Sequence, residues 1–159
     1  MKALVIYASR TGNTRTLAEA IAETMRERGT AVEVFDAEQA PMTLPECDLI
    51  FVGGPTERHT LTPAVVGFFD RLEAGSLRGK AGVAFDTRMQ WPRFVSGSAA
   101  DEIAKRLKAA GARLVTVAES FFVRTEPVLG YELVPGELAR ARTWTTQVAR
   151  EVGAEMAVA

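Results

Sequence analysis

The chain has 159 residues, 47% hydrophobic and 25% charged, a length and mix that suit a single soluble domain. Nineteen basic against twenty acidic residues leave a net charge of −1, which excludes a strongly basic nucleic-acid surface or a polybasic membrane-binding segment. One cysteine, Cys47, and one histidine, His59, exclude an internal disulfide and any multi-cysteine or multi-histidine metal site.

Ala3–Tyr7 is a continuous apolar run, as expected of a strand covered on both faces. It is too short for a signal sequence or a membrane span, so a cytoplasmic protein is expected. Leu17, Ile21 and Met25 then recur at helical spacing until Gly29. Val32–Phe35 and Leu49–Val52 read as the second and third strands. Gln39–Glu46 between them holds two prolines and reads as a turn. Thr62-Pro63 reads as a cap followed by proline in the first helical turn, with Val65, Phe69 and Leu72 on one side before Gly75. Ala81–Phe85 is the fourth strand. Ser98, followed by Asp101 and Glu102, starts a helix that Ile103 and Leu107 continue and Gly111 closes.

Leu114–Val117 reads as the fifth strand, and Glu119–Val134 as a long connection holding Phe121, Phe122, Pro127 and Tyr131, which either lines the far side of the ligand site or forms an interface. Pro135 opens a last helix with Leu138, Ala141, Thr145 and Val148 inward, where Glu137 and Arg140 form a surface i, i+3 pair. Cys47, at the start of the third strand, reads as a structural thiol. The alternation gives an α/β domain over residues 1–159: a doubly wound, five-stranded parallel sheet in the order 2-1-3-4-5, sandwiched between two helical layers.

Ligands of such sheets bind beyond the carboxyl ends of the strands, at the switch point. That directs attention to the loops at 8–14, 53–62 and 86–97. The first carries hydroxyls at Ser9, Thr11 and Thr14, the amide of Asn13 and a flexible Gly12. It also opens a helix whose free N–H groups can cradle a phosphate; the alternative is a helix cap rich in Ser and Thr. It is not a Walker loop, which needs Gly-Lys-Ser/Thr, nor a dinucleotide fingerprint, which needs three spaced glycines. Asp36, at the end of the second strand, reads as a solvated carboxylate. A signalling receiver domain would need an acceptor aspartate at the end of the third strand, where Gly53-Gly54 stands.

The strand Leu4–Tyr7 followed by Ser9-Arg10-Thr11-Gly12-Asn13-Thr14 resembles the FMN-phosphate loop of the flavodoxin family. Asp48-Leu-Ile-Phe-Val-Gly-Gly-Pro55-Thr56 resembles its second flavin loop, and Phe85-Asp86-Thr87-Arg88 its third. The resemblance covers essentially the whole chain. With no room for the fifth-strand insertion of long-chain flavodoxins, the chain is similar to the short-chain type.

This resemblance implies a noncovalent FMN with its phosphate on Ser9–Thr14. The flavin ring is expected between Pro55, Thr56, Glu57, Arg58 and His59 on one side and the loop after Asp86, Thr87 and Arg88 on the other. Three departures accompany it. Glu57 stands where a ring-covering side chain is usual, which leaves His59 to cover the ring or to sit on the surface. In the later loop Trp91, then Phe94, are the stacking candidates, the alternative being packing within their own loop. Arg58 occupies the position of the glycine that faces flavin N5, where a positive φ costs a non-glycine residue roughly 1–2 kcal/mol. Arg58, Arg88 and Arg93 also replace an acidic rim; Arg88 either contacts flavin or substrate or is a solvated surface arginine, as Arg93 is expected to be.

The function implied is electron transport between a reductase and an acceptor protein, neither of which the sequence names. The flavin would carry the chemistry, with no catalytic acid, base or nucleophile from the protein. The alternative is an oxidoreductase of the same fold that reduces a quinone-type small molecule. No nucleic-acid, membrane or metal partner is expected.

Overall fold

In the computed structural model, which describes residues 1–128 and 130–159, the apolar runs assemble into one sheet. β1 (Lys2–Tyr7), β2 (Ala31–Asp36), β3 (Leu49–Pro55) and β4 (Ala81–Met89) pair in parallel in the order β2-β1-β3-β4. The inner strands are apolar on both faces because helices cover both. α1 (Asn13–Glu27) and α5 (Glu137–Val158) pack on one side, α2 (Pro63–Arg71) and α4 (Ala99–Ala109) on the other. Thr62-Pro63 opens α2, and Ser98 caps α4 by accepting the Asp101 N–H. The segment between β2 and β3 is a turn without a helix, as its prolines require. A four-residue helix, α3 (Arg93–Ser96), interrupts the path from β4 to α4.

The fifth strand position departs from expectation. β5 (Arg113–Leu114) pairs only with Ala81 and Gly82. The chain leaves the sheet over residues 115–118 and returns as β6 (Glu119–Glu126), which pairs with β4 from Phe85 to Met89. Val83 and Ala84 of β4 thus face four residues instead of two, and Val117 of that excursion is solvent-exposed. Nor is Glu119–Val134 a simple connection. β6 folds back antiparallel onto β7 (Gly130–Leu133), which adds a sixth position to the sheet. Polar residues at Glu119 and Arg124 hide the strand period in this stretch, because Arg140 of α5 and Glu132 of β7 supply their partners.

On the α1/α5 side, Phe51, Phe85 and Phe121 present edges to Trp144, with ring centroids 5.6–6.4 Å away. The Phe85 ring reaches across β3 at Gly53, where a Cβ would fall 2.2 Å from its carbons. Cys47 is buried, and burial pushes its thiol pKa up, which suits a structural role. No helix among the described residues is long and apolar enough to cross a membrane.

Glu137 and Arg140 are more than a surface pair. Glu137 is 8% exposed, and its Oε2 accepts the Phe122 N–H and an Arg140 N–H, both at 2.7 Å. Arg140 also donates to Glu119 at 2.9 Å and to the Ser120 carbonyl, and it lies 4.5 Å from the Phe121 ring centroid. This network fastens α5 to β6. Burial alone would raise the Glu137 pKa; the Arg140 guanidinium and the Phe122 N–H outweigh it and hold the carboxyl below its ordinary value.

A carboxylate depressed by folding contributes stability that is complete above its unfolded pKa and is lost as pH falls through its folded pKa. Glu137→Gln should therefore melt several degrees below the parent at pH 7, the scale of about 1.5–3 kcal/mol for hydrogen bonds to a charged group. Calorimetric midpoints of the two should converge on acidification below the carboxylate range. A difference that persists there would assign the effect to packing.

Candidate functional site

The loop after β1 is shaped by its helix cap. Gly12 takes φ +88°, a left-handed conformation that disfavours a side chain, and starts α1 by accepting the Thr16 N–H. Ser9 Oγ accepts the N–H groups of Gly12 at 3.1 Å and Arg15 at 3.3 Å. Thr11 Oγ1 accepts from Asn13 Nδ2, which also donates to the Tyr131 carbonyl and so pins the β6–β7 hairpin to this loop. The N–H groups of Thr11, Asn13 and Thr14 have no acceptor among the described residues. No acidic residue occupies the first turn of α1, so its positive end stays uncompensated. Thr14 differs from expectation: its side chain is buried, and its hydroxyl pairs with that of Thr87 at 2.9 Å. Only its N–H is left for the loop.

Beside this loop lies a cavity of about 290 Å³ at the carboxyl ends of β1, β3 and β4. Thr11 and Asn13 form one wall, Pro55–Arg58 a second, and Thr87–Met89 a third; Val123 and Tyr131 complete it. Arg10 reaches across to Glu57 at 2.7 Å. After Glu57 the chain makes a two-residue turn closed by reciprocal backbone bonds between Glu57 and Thr60. Arg58 has φ 44° and His59 φ 72°, so the conformational cost expected at Arg58 is present in this state and falls on its neighbour too. His59 does not line the cavity. It faces a separate groove with Ser98 and Lys105.

β4 ends in Asp86-Thr87-Arg88. Asp86 is fully buried and lies outside the cavity lining, bonded instead to Thr56, Ser98 and the Ala100 N–H. Arg88 lines the cavity and is 8% exposed. It donates to the Trp91 carbonyl at 2.7 Å and to Ser96 at 3.0 Å, and stacks 5.0 Å from the Phe122 centroid, with no carboxylate partner among the described residues. Trp91 and Phe94 turn outward, 54% and 89% exposed, and neither lines the cavity. The connection folds its polar backbone onto Arg88 and leaves its aromatics in solvent. Arg93 is half-exposed and paired with Asp101 at 2.8 Å.

The structure therefore brings Arg10, Thr11, Asn13, Pro55, Thr56, Glu57, Arg58, Thr87 and Arg88 around one cavity, with Ser9 and Gly12 supporting it. It excludes His59, Trp91 and the Asp86 carboxylate from that lining. Val123 and Tyr131 show that the 119–134 stretch lines the far side of the cavity, a placement the sequence left open against an interface, and sequence reasoning missed Met89. A signal existed for Tyr131: Gly130, at φ +82°, starts a strand, and glycine near paired runs marks a hairpin.

FMN carries a phosphate dianion and a flat, largely apolar ring. Three free N–H groups at a helix N-terminus fit the phosphate, and a slot flanked by Pro55, Met89, Val123 and Tyr131 fits the ring.

The flavodoxin family model matches residues 5–144. A flavodoxin of Aquifex aeolicus is 35% identical over 95 residues, 57% of this chain and 51% of that protein. An NAD(P)H dehydrogenase (quinone) of Gluconacetobacter diazotrophicus is 31% identical over 109 residues, 53% of this chain and 55% of that one. The matches thus span about half the length of these curated relatives. A flavodoxin from the domain Archaea superposes with a TM-score of 0.77 at 23% identity, covering 96% of this chain and 99% of the other, which establishes a shared fold. With the family model spanning most of the sequence, the chain belongs to the flavodoxin family.

Proposed function

We propose that this protein is a cytoplasmic FMN-binding electron carrier that passes electrons between a reductase and an acceptor protein. The observation that carries this reading is the set of unpaired N–H groups at Thr11, Asn13 and Thr14, opening beside a partly apolar cavity. Ser9, Thr11 and the three N–H groups would hold the phosphate; each hydroxyl accepts from within the loop and keeps its own proton to donate. Pro55–Arg58 and Thr87–Met89 would flank the ring, with Tyr131 as its aromatic neighbour. Bound FMN supplies one- and two-electron redox chemistry, and the protein's part is binding, orientation and electrostatics.

The test is reconstitution. The flavin-free protein should take up FMN, quench its fluorescence and shift its visible absorption. Tyr131→Ala should weaken binding severalfold, in line with about 0.5–1.5 kcal/mol for an aromatic contact, and restore part of the fluorescence. Trp91→Ala should change neither. The opposite pattern would return ring stacking to Trp91.

A quinone-type reductase is the second reading. Arg58 and Arg88, both without a carboxylate partner among the described residues, favour it because they can hold an anionic substrate. Oxidation of NADH or NADPH by quinones with the purified protein alone would establish it, whereas turnover that needs an added reductase supports the carrier.

A further inference from the structure

We infer that Asp86 is a positioning residue that locks the cavity-wall loop after β3 to the start of α4; the inference rests on the FMN reading for its functional consequence. Its Oδ2 accepts three hydrogen bonds: from Thr56 Oγ1 at 3.0 Å, Ser98 Oγ at 2.9 Å and the Ala100 N–H at 3.0 Å. Thr56 belongs to the cavity wall after β3, while Ser98 and Ala100 open α4. A second thread runs between the same segments, since the Ala99 N–H donates to Thr56 Oγ1 at 2.9 Å.

The carboxylate is fully buried, so water cannot replace any of these partners. Its Oδ2 is bonded by two hydroxyls and by the positive end of α4, while Oδ1 is buried without a partner among the described residues. Gly97 adds a steric contact beside the lock. A Cβ there would come 2.7 Å from His59 Cα, so the two backbones touch where only glycine fits. Gly97 itself has φ +69°. Arg88, two residues along β4, holds the outer part of the same loop through Ser96 and the Trp91 carbonyl.

The cost of the Arg58–His59 turn explains why a lock is needed. Two adjacent non-glycine residues at positive φ persist only where the surroundings over-determine them. Asp86 supplies that constraint from below through Thr56, and Gly97 from the side. The cavity wall is thereby pre-shaped, and the ligand does not have to order it on binding.

Asp86→Asn keeps the shape and one acceptor but removes the charge; Asp86→Ala removes both. In hydrogen exchange of the flavin-free protein, Asp86→Asn should accelerate residues 56–60 and 96–100 together, leaving the protection of β1 and α1 unchanged. Acceleration of only one segment would overturn the lock.

In titrations with FMN and with riboflavin, Asp86→Ala should weaken both by the same factor of about ten, the scale of one hydrogen bond to a charged group. The FMN-to-riboflavin ratio should stay at the parent value, because the phosphate loop is untouched, and Asp86→Asn should recover part of the loss. Unchanged affinities in folded variants, or a ratio that changes, would overturn the positioning role. If Asp86→Ala does not fold, Asp86→Asn and Ser98→Ala carry the same comparison. A parent protein that binds neither flavin would remove the FMN reading, and the exchange experiment would still judge the lock.

Discussion

Riboflavin should bind this protein roughly a hundred to ten thousand times more weakly than FMN, because two or more hydrogen bonds to a charged phosphate are worth about 1.5–3 kcal/mol each. The donors are in place. Thr11, Asn13 and Thr14 present free N–H groups at the start of a fifteen-residue helix with no acidic residue in its first turn. Anchoring these groups costs nothing extra on binding, because Ser9 and Gly12 already hold the loop in its helix cap. Thr11→Ala should lower FMN affinity about tenfold and leave riboflavin affinity alone. Thr14→Ala should act otherwise. Its hydroxyl bonds Thr87 in the interior, so its removal should lower the melting temperature more than it changes the FMN-to-riboflavin ratio. Isothermal titration with both flavins and all three proteins decides the matter. Equal dissociation constants for FMN and riboflavin in the parent would take the phosphate away from this loop.

Gly53→Ala should destabilise the fold severely while touching no candidate site side chain. A Cβ at this position would sit 2.2 Å from Phe85 ring carbons, well inside van der Waals contact. The ring cannot swing aside freely, because Trp144 packs edge-on against it with centroids 6.4 Å apart. Overpacking of this kind costs about 1–3 kcal/mol and occasionally more, and the overlap places Gly53→Ala at or above the top of that range. For a chain of this size about 3 kcal/mol corresponds to roughly 6–12 °C in melting temperature. Phe85→Leu in the same chain should recover part of the loss by removing the clashing atoms. A double variant no more stable than Gly53→Ala alone would show that the backbone has moved instead.

The parallel part of the fold was legible because burial on both faces leaves continuous apolar runs, and those at Ala3–Tyr7, Leu49–Val52 and Ala81–Phe85 became β1, β3 and β4. Helix starts were equally readable at Thr62-Pro63 and Ser98, where local chemistry decides the conformation. The fifth position was not. Leu114–Val117 is as apolar as the other runs, yet most of it lies outside the sheet, because pairing with β4 resumes only at Glu119.

The site shows the same division. Loop identities at 9–14, 55–58 and 87–88 follow from local pattern and strand ends. Which side chains face the cavity follows from distant partners instead. Trp91 is turned out by Arg88, Thr14 is drawn in by Thr87, Tyr131 is brought over by Asn13, and Asp86 is consumed by Ser98 and Thr56. None of those pairings leaves a trace in neighbouring residues.

The detour between β5 and β6 has a consequence for engineering. Across it the pairing with β4 advances by two residues, an even number, so side chains keep their assigned faces and Phe121 still reaches the core. Register on either side is set by separate pairings with β4, and the excursion carries none of it. Lengthening such a loop costs only about 0.6 kcal/mol for each doubling. A guest peptide or reporter domain grafted between Thr116 and the exposed Val117 would hang from the sheet without shifting either strand. The β4 end that builds the cavity lies beyond Phe85, and β5 pairs at the opposite end, so cargo carried there would stand clear of it.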